Sequence, residues 1–410
     1  MKTHYAFIFF FTPFFLVGNY PKAIINVPVA DLLGQPIHTT HATLLPEQAY
    51  NNIPLCSNPI NSLSACPRLH QALYNDIVEV IKTTEHEACI KITQSYYLSG
   101  QSNIPQSQYW ILKKNITLFD DIQHAIDLQH VPQPITFESC QFNLAQENCI
   151  TLTQPHYDPV LKTTFSAGTR FIQTSSLPKR KSNIEVFAIN YQTCTEHRIK
   201  IPATKCMVTC STKNISARID DYVALLKQWA HIKKGHIPYT WGGTSFTYTV
   251  HNNFKEQTHQ TNNSDYAVYA YENDHHCPKS GFDCSGVIAR AAQICGIAYF
   301  CKNTSTIAQC LAPLQYEQSL AAGDLILIKG HVMVVSDITK NLLIEARAYS
   351  HGYGKLHEIA LKDVFADITT YDDLMKAYGN KQTIKRKDKK GNVRDTFTSL
   401  QLFSMATVSK

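Results

Sequence analysis

The segment Gly281-Phe282-Asp283-Cys284-Ser285-Gly286 sets one thiol among small and polar residues where a helical pattern begins. Val287, Ile288, Ala291, Ala292 and Cys295 then recur with the spacing of one helix face, and Gly296 is a suitable stop. Cys284 is therefore expected at the N-terminus of an amphipathic helix. Unpaired backbone N–H groups there favour the thiolate, which is the nucleophilic form of cysteine. Such a nucleophile needs an imidazole to exchange its proton and a third polar group to orient the ring. Two later apolar runs supply both, Gly330-His331-Val332-Met333-Val334-Val335 and Leu342-Leu343-Ile344-Glu345-Ala346, each reading as a buried strand. With Asp337-Ile338-Thr339 as a three-residue hairpin loop, Ser336 pairs with Lys340, and His331 falls directly opposite Glu345 on one face. The expected constellation is Cys284 as nucleophile, His331 as base and Glu345 as orienter, its carboxylate holding the Nδ1 proton. His351 and His357 compete with Glu345 for the third place. A cysteine on a helix is ordinarily structural, and it is this ordered company that points to catalysis.

The chain that must position these residues has 410 of them, enough for two or three domains. The net charge of +6 is spread along the length apart from one basic run near the C-terminus, so bulk charge does not suggest nucleic-acid binding. Lys2 precedes an apolar run from Tyr5 to Val17, the length of a signal-peptide core, which makes residues 1–23 a leader and the mature chain periplasmic or secreted. Cleavage is expected near Gly18 or Ala23. No later segment is apolar enough to span a membrane. Thirteen cysteines fit an oxidising compartment, and the odd number leaves one thiol over. Cys56 and Cys66, Cys140 and Cys149, and Cys206 and Cys210 are the neighbours suited to pairing.

Residues 24–125 alternate between short apolar runs and polar turns, among them Ile77-Val78-Glu79-Val80-Ile81 and Tyr109-Trp110-Ile111-Leu112, as a small β-barrel would. Residues 126–213 form a second β-rich stretch. Near Ser216 the texture changes: Tyr222, Val223, Leu225, Leu226 and Trp229 follow helical spacing, opening a third unit over 214–410. Pro238-Tyr239-Thr240-Trp241-Gly242-Gly243 is an aromatic turn whose glycines permit close backbone approach. The polar segment 244–280 reads as a surface loop or lid, and Lys385-Arg386-Lys387-Asp388-Lys389-Lys390 as a solvated loop before a last strand near Leu400. His275-His276-Cys277 is a poor chelating set because adjacent residues rarely hold one ion, and neither a metal nor another cofactor is expected.

Four motifs in this order, Pro238 to Gly243, Gly281 to Gly286, Gly323-Asp324-Leu325 and Gly330-His331-Val332, resemble those of the NlpC-type cell-wall cysteine peptidases. The resemblance covers about residues 216–346. It implies an α+β architecture in which a papain-like cysteine peptidase domain follows two small β-barrel, SH3-like domains; Arg68, Gln71, Tyr74 and Tyr109-Trp110-Ile111 resemble residues of the first. It also implies hydrolysis of the γ-D-glutamyl–diamino acid bond of peptidoglycan stem peptides or muropeptides, with Cys284 and His331 doing the chemistry. Glu345 stands where the family more often has His, Asn or Gln. Tyr239, Asp283 and Ser285 match positions that hold substrate, Asp283 suiting the free amino end of its L-alanine. The alternatives are a wall-binding protein whose peptidase domain is a relic, and an amidase or acyltransferase on the same fold.

Overall fold

The computed structural model describes residues 20–37, 44–55, 66–98, 105–136, 148–174, 182–208, 213–250 and 278–408, and the backbone of 254–261 and 264–271. The apolar run from Tyr5 to Val17, expected to be a leader, and His275-His276-Cys277 lie outside the described residues, as do Cys56, Cys140 and Cys210 of the suggested cysteine pairs.

The first region is one seven-stranded sheet made of β1 (Lys22–Ile25), β2 (Val29–Leu33), β3 (Arg68–Leu73), β4 (Ile77–Thr83), β5 (Glu87–Lys91), β6 (Gln108–Leu112) and β7 (Ile116–Leu118). Its order is β3-β2-β6-β5-β4-β1-β7, every pair antiparallel. Helix α1 (Pro46–Asn51) sits in the β2–β3 connection and α2 (Phe119–Ile122) follows β7. Ala23 is wholly buried in β1, so a leader cut at Gly18 leaves that strand whole whereas a cut at Ala23 would remove its start.

The second region carries β8 (Cys149–Leu152), β9 (His156–Asp158), β10 (Thr163–Phe165), β11 (Arg170–Ile172), β12 (Asn183–Asn190), β13 (Thr195–Pro202) and β14 (Cys206–Val208), divided among three small sheets. Phe165, Phe171 and Tyr191 share its core with Ile24, Tyr74 and Ile122 of the first region. The Tyr74 hydroxyl joins the two by accepting from the Ile189 N–H at 2.9 Å.

The third region opens with α3 (Ile215–Ala230), capped by the Asn214 side chain on the Ala217 N–H. After it come β15 (Thr244–Ser245), β16 (Phe254–Thr261), β17 (Ser264–Tyr271), β18 (Gly281–Phe282), α4 (Cys284–Ile294) and α5 (Thr304–Cys310). Then follow β19 (Leu325–Ile328), β20 (His331–Asp337), β21 (Leu342–Arg347), β22 (Lys355–Ala360), α6 (Leu361–Val364), α7 (Tyr371–Gly379), β23 (Ile384–Lys387), β24 (Val393–Phe397) and β25 (Leu400–Phe403). A five-stranded antiparallel sheet of order β22-β21-β20-β19-β25 is its centre. Leu325, Leu327, Val332, Val334, Ile344 and Ala346 turn one face toward α3 and α4. Ile326, Met333, Val335 and Leu343 turn the other toward α6 and α7, as strand alternation requires.

Three expectations change here. The segment 244–280 is not a single loop: β15 pairs with β18, and β16 pairs with β17 over eight residues each. The basic run is a solvated turn only over Asp388 to Lys390: Lys385 to Lys387 belong to β23, whose alternation turns Ile384 and Arg386 inward and Lys385 outward. Helix α4 is not amphipathic in its surroundings, since Ser285 to Ile294 are all buried. Its outer face is covered by the first two regions. Gln293 donates to the Gln94 carbonyl at 2.8 Å, and Arg290, which donates to the Thr244 carbonyl at 3.0 Å, leaves no room for a Cβ at Gly168.

Candidate active site

Cys284 is the first residue of α4 and is partly exposed. Asp283 is the N-cap: its Oδ1 accepts the Gly286 N–H at 2.5 Å, satisfying one of the helix's orphan donors. The helix ends in a Schellman turn, with Gly296 at φ 75° and the Ile297 N–H on the Ala292 carbonyl at 2.9 Å. Its start is fixed by contact with the aromatic turn. A Cβ on Gly286 would stand 2.0 Å from the Gly243 carbonyl oxygen, and the Asp283 N–H donates to that same oxygen at 3.1 Å.

The first region holds this turn from outside. Arg68, fully buried, forks onto Asp31 at 2.6 and 3.0 Å and donates to the Trp241 carbonyl at 3.1 Å. Gln71 donates to the Lys279 carbonyl at 2.7 Å and accepts the Thr244 N–H at 3.3 Å. Thr244 opens β15, and Trp241 and Lys279 lie just before β15 and β18, so β3 clamps the backbone that delivers Asp283 and Cys284.

The thiol is less acidic than its helix position suggests. Burial and the neighbouring Asp283 carboxylate push it up from 9.0 to about 11, against the backbone N–H groups of Val332 and Ser285 and the Lys302 ammonium, which favour the thiolate. Desolvation of the anion and a like charge thus outweigh the helix terminus. The Val332 N–H beside the sulfur also places His331, the preceding residue, at the site.

The β20–β21 register differs from the expected one. Val334 pairs with Ile344 and Val335 with Leu343, a bulge follows at Ser336, and Asp337 pairs with Leu342. The turn closes from the Asn341 N–H to the Ile338 carbonyl with Asn341 at φ 54°, and Asp337 accepts the Lys340 N–H at 3.1 Å. Continued along the strands, this register sets Met333, not His331, across from Glu345. The shift is two residues, which preserves the face. His331 therefore reaches Glu345 diagonally, with Nε2 2.7 Å from Oε2. Contact is through Nε2, not the expected Nδ1, and Nδ1 has no hydrogen-bond partner among the described residues. Nor does any hydrogen bond among them join His331 to Cys284. Burial and Arg386 lower His331 from 6.5 to about 3, although Glu345 pulls the other way, so the ring is neutral at neutral pH.

Glu345 is fully buried in a cationic setting. Oε2 also takes Arg386 Nη2 at 2.7 Å, while Oε1 faces His357 Nε2 at 3.3 Å and Arg347 Nη1 at 3.4 Å. Burial raises its pKa, but Arg386 and Arg347 overcome that and hold the carboxyl well below the usual range. Of the two competitors, His357 is the cross-strand partner of Glu345, and His351 turns to Asp395 at 2.9 Å.

Tyr239 bridges Phe282 along the backbone and is nearly buried, its carbonyl accepting from the Tyr349 hydroxyl at 3.0 Å. Ser285 donates to Asp283 Oδ1 at 3.1 Å and to the Lys302 carbonyl. Asp283 Oδ2 is paired with the buried Lys302 ammonium at 2.7 Å. All three side chains stand within one or two residues of Cys284 or of its strand, with the polar atoms of Asp283 and Ser285 engaged within the chain. Sequence reasoning missed Lys302, Arg347 and Arg386. Only Arg347 carried a signal, being two residues from Glu345 on the same face of one strand.

A crystal structure of an NlpC/P60 family protein from Bacillus cereus superposes with a TM-score of 0.50 at 16% identity, covering 83% of this chain and 94% of that one. The fold is of the NlpC/P60 type. The NlpC2 and NlpC1 proteins of Trichomonas vaginalis align at 9% and 8% identity, covering 84% and 85% of this chain and 93% and 90% of theirs. Their TM-scores of 0.30 and 0.29 are too low to carry an argument. No family model and no curated protein matches the sequence. Within the NlpC/P60-type fold, no group of three His, Cys, Asp or Glu side chains among the described residues is placed to hold a metal ion. No described helix is long and apolar enough to cross a membrane.

Proposed function

We propose that this chain is a periplasmic or secreted cysteine endopeptidase that hydrolyses the γ-D-glutamyl–diamino acid bond of peptidoglycan stem peptides, with the two β-rich regions serving as SH3-like domains. The observation that carries the reading is a partly exposed thiol at a helix N-terminus beside a histidine whose Nε2 is held by a buried carboxylate at 2.7 Å. Because thiol and imidazole are both neutral at rest, the first step is general-base attack. His331 Nδ1 takes the Cys284 proton as the sulfur adds to the γ-carbonyl carbon of D-glutamate. The Cys284 and Ser285 N–H groups at the start of α4 serve the oxyanion in this reading, the Gly286 N–H being taken by Asp283, and Glu345 stabilises the imidazolium that forms. The imidazolium then protonates the departing amine of the diamino acid. Water, deprotonated by the same ring, cleaves the thioester to release the glutamate γ-carboxylate and restore the thiol. In this proposal Tyr239, Asp283 and Ser285 border the site on its substrate side.

The test is digestion of a stem tetrapeptide containing D-glutamate and diaminopimelate. Release of L-Ala-D-Glu by the wild type and its loss in Cys284→Ala are expected. No cleavage by folded, reduced protein would sink the reading. A wall-binding protein with a relic peptidase fold is the second reading, favoured by the lack of a hydrogen bond between Cys284 and His331 among the described residues. Binding to insoluble wall without any cleavage is its signature.

A further inference from the structure

Three groups converge on one oxygen-bearing point of the central sheet. Glu345 on β21 is unexposed, its Oε2 lies 2.7 Å from His331 Nε2, and the same oxygen lies 2.7 Å from Arg386 Nη2. Arg386 comes from β23, more than forty residues beyond Glu345 and outside the sheet that carries His331 and Glu345. It is held there firmly. Its backbone bridges Phe365, the Ala366 N–H donates to the Lys385 carbonyl at 2.9 Å, and it stands opposite Asp395 across the hairpin. A carboxylate with no solvent contact keeps its charge only if cations replace the lost water. Arg347 is the second cation, but it meets the other oxygen at 3.4 Å, and its Nη2 is drawn away to the Lys387 carbonyl of β23.

We propose that Arg386 is a positioning residue of the active site, its guanidinium fixing Oε2 of Glu345 against His331 so that the C-terminal hairpin β23–β24 completes the catalytic constellation. The proposal rests on the peptidase reading for its consequence in turnover. Its structural half does not, because it concerns the ring of His331 in the resting protein. Two effects follow from one contact. Geometrically, Arg386 fixes the carboxylate oxygen that meets Nε2, and with it the ring orientation that leaves Nδ1 clear of Glu345. Electrostatically, its positive charge keeps His331 a neutral base, working against Glu345. The charged groups that act on the ring are Glu345 and Arg347 on β21 and Arg386 on β23, while His357 on β22 meets the other oxygen of Glu345 and Tyr353 lies against His357 and Arg347. Asp395 on β24 is tied to His351. Of the two guanidiniums, Arg386 is the larger influence lowering His331, and Arg347 the smaller.

The experiment pairs Arg386→Gln and Arg386→Lys with the wild type, reading the His331 ring by side-chain NMR across pH and stem-peptide cleavage by kcat and KM. In the wild type, the NMR should report a neutral ring with its proton on Nε2 throughout the neutral range. Arg386→Gln should move the protonation midpoint of His331 upward by at least one pH unit and cut kcat at least tenfold at little change in KM. The acid limb of the rate profile should shift in the same direction. Arg386→Lys, which keeps the charge but not the reach and planar geometry of the guanidinium, should hold the midpoint near that of the wild type while recovering only part of kcat. A folded Arg386→Gln with unmoved ring titration and wild-type kcat would overturn the proposal. If Arg386→Gln does not fold, Arg386→Lys decides alone: full wild-type kcat with a Glu345–His331 contact unchanged by NMR overturns it. Absence of cleavage by the wild type would refute the peptidase reading, and the ring titration would still decide the role of Arg386.

Discussion

Alkylation of Cys284 by iodoacetamide should be slow at neutral pH and should climb steeply with alkali. Moving the thiol from 9.0 to about 11 lowers its thiolate fraction roughly a hundredfold at pH 8 and below, because each pH unit is a factor of ten. A more basic thiolate is also a better nucleophile. With a Brønsted slope of about 0.4–0.5, two units return roughly six- to tenfold. Net, Cys284 should react about tenfold more slowly than a free thiol at pH 7, with partial exposure slowing it further. The slope is the sharper diagnostic, about tenfold per pH unit from pH 7 to roughly pH 10. Thirteen cysteines make bulk labelling uninformative, so the assay is peptide-resolved mass spectrometry following the fragment that contains Cys284. A rate above that of a free thiol, flat between pH 6 and 8, would refute the reasoning. It would mean a thiolate–imidazolium pair at rest, and that burial and Asp283 do not govern the sulfur.

Gly286→Ala pits helix propensity, worth up to about 1 kcal/mol in favour of alanine, against a Cβ set 2.0 Å from the Gly243 carbonyl oxygen. With backbone on both sides of the clash, a loss of about 3 kcal/mol or more in denaturant unfolding is expected, and a neutral or stabilised variant would contradict the packing described here. Acid should destabilise the fold before its carboxylates titrate. His331 is lowered to about 3 and His351 to about 4 from an unfolded value of 6.5, so below pH 6.5 the unfolded chain binds protons that the folded one refuses. Stability then falls with falling pH, by roughly 3 kcal/mol between pH 6.5 and 4 from His331 alone. Glu345, whose pKa is depressed, loses its contribution only at lower pH, so an unfolding midpoint that stays flat from pH 6.5 to 5 would refute the buried neutral histidines.

How far the sequence reached depended on whether each feature was local. The helix from Cys284, the helix through Tyr222 to Trp229 and the strands at His331 and Leu342 were legible because burial imposes its period on neighbouring residues. The hairpin register was missed by two residues because a bulge at Ser336 and a left-handed Asn341 are turn choices that the apolar pattern does not encode. Parity alone kept His331 and Glu345 on one face. The basic run looked solvated because its composition is uniform, and only pairing as a strand separates an inward Arg386 from an outward Lys385.

By itself, then, the sequence determined which groups were candidates and their order along the chain, Cys284 before His331 before Glu345, since a helix start and apolar strand runs are written in adjacent residues. Tertiary structure alone decided their electrostatics. Lys302 came to Asp283 from beyond the helix, and Arg386 came to Glu345 from a separate hairpin. The physical reason is that charge acts through space and burial, so the protonation of a thiol or an imidazole depends on neighbours that no local spacing names.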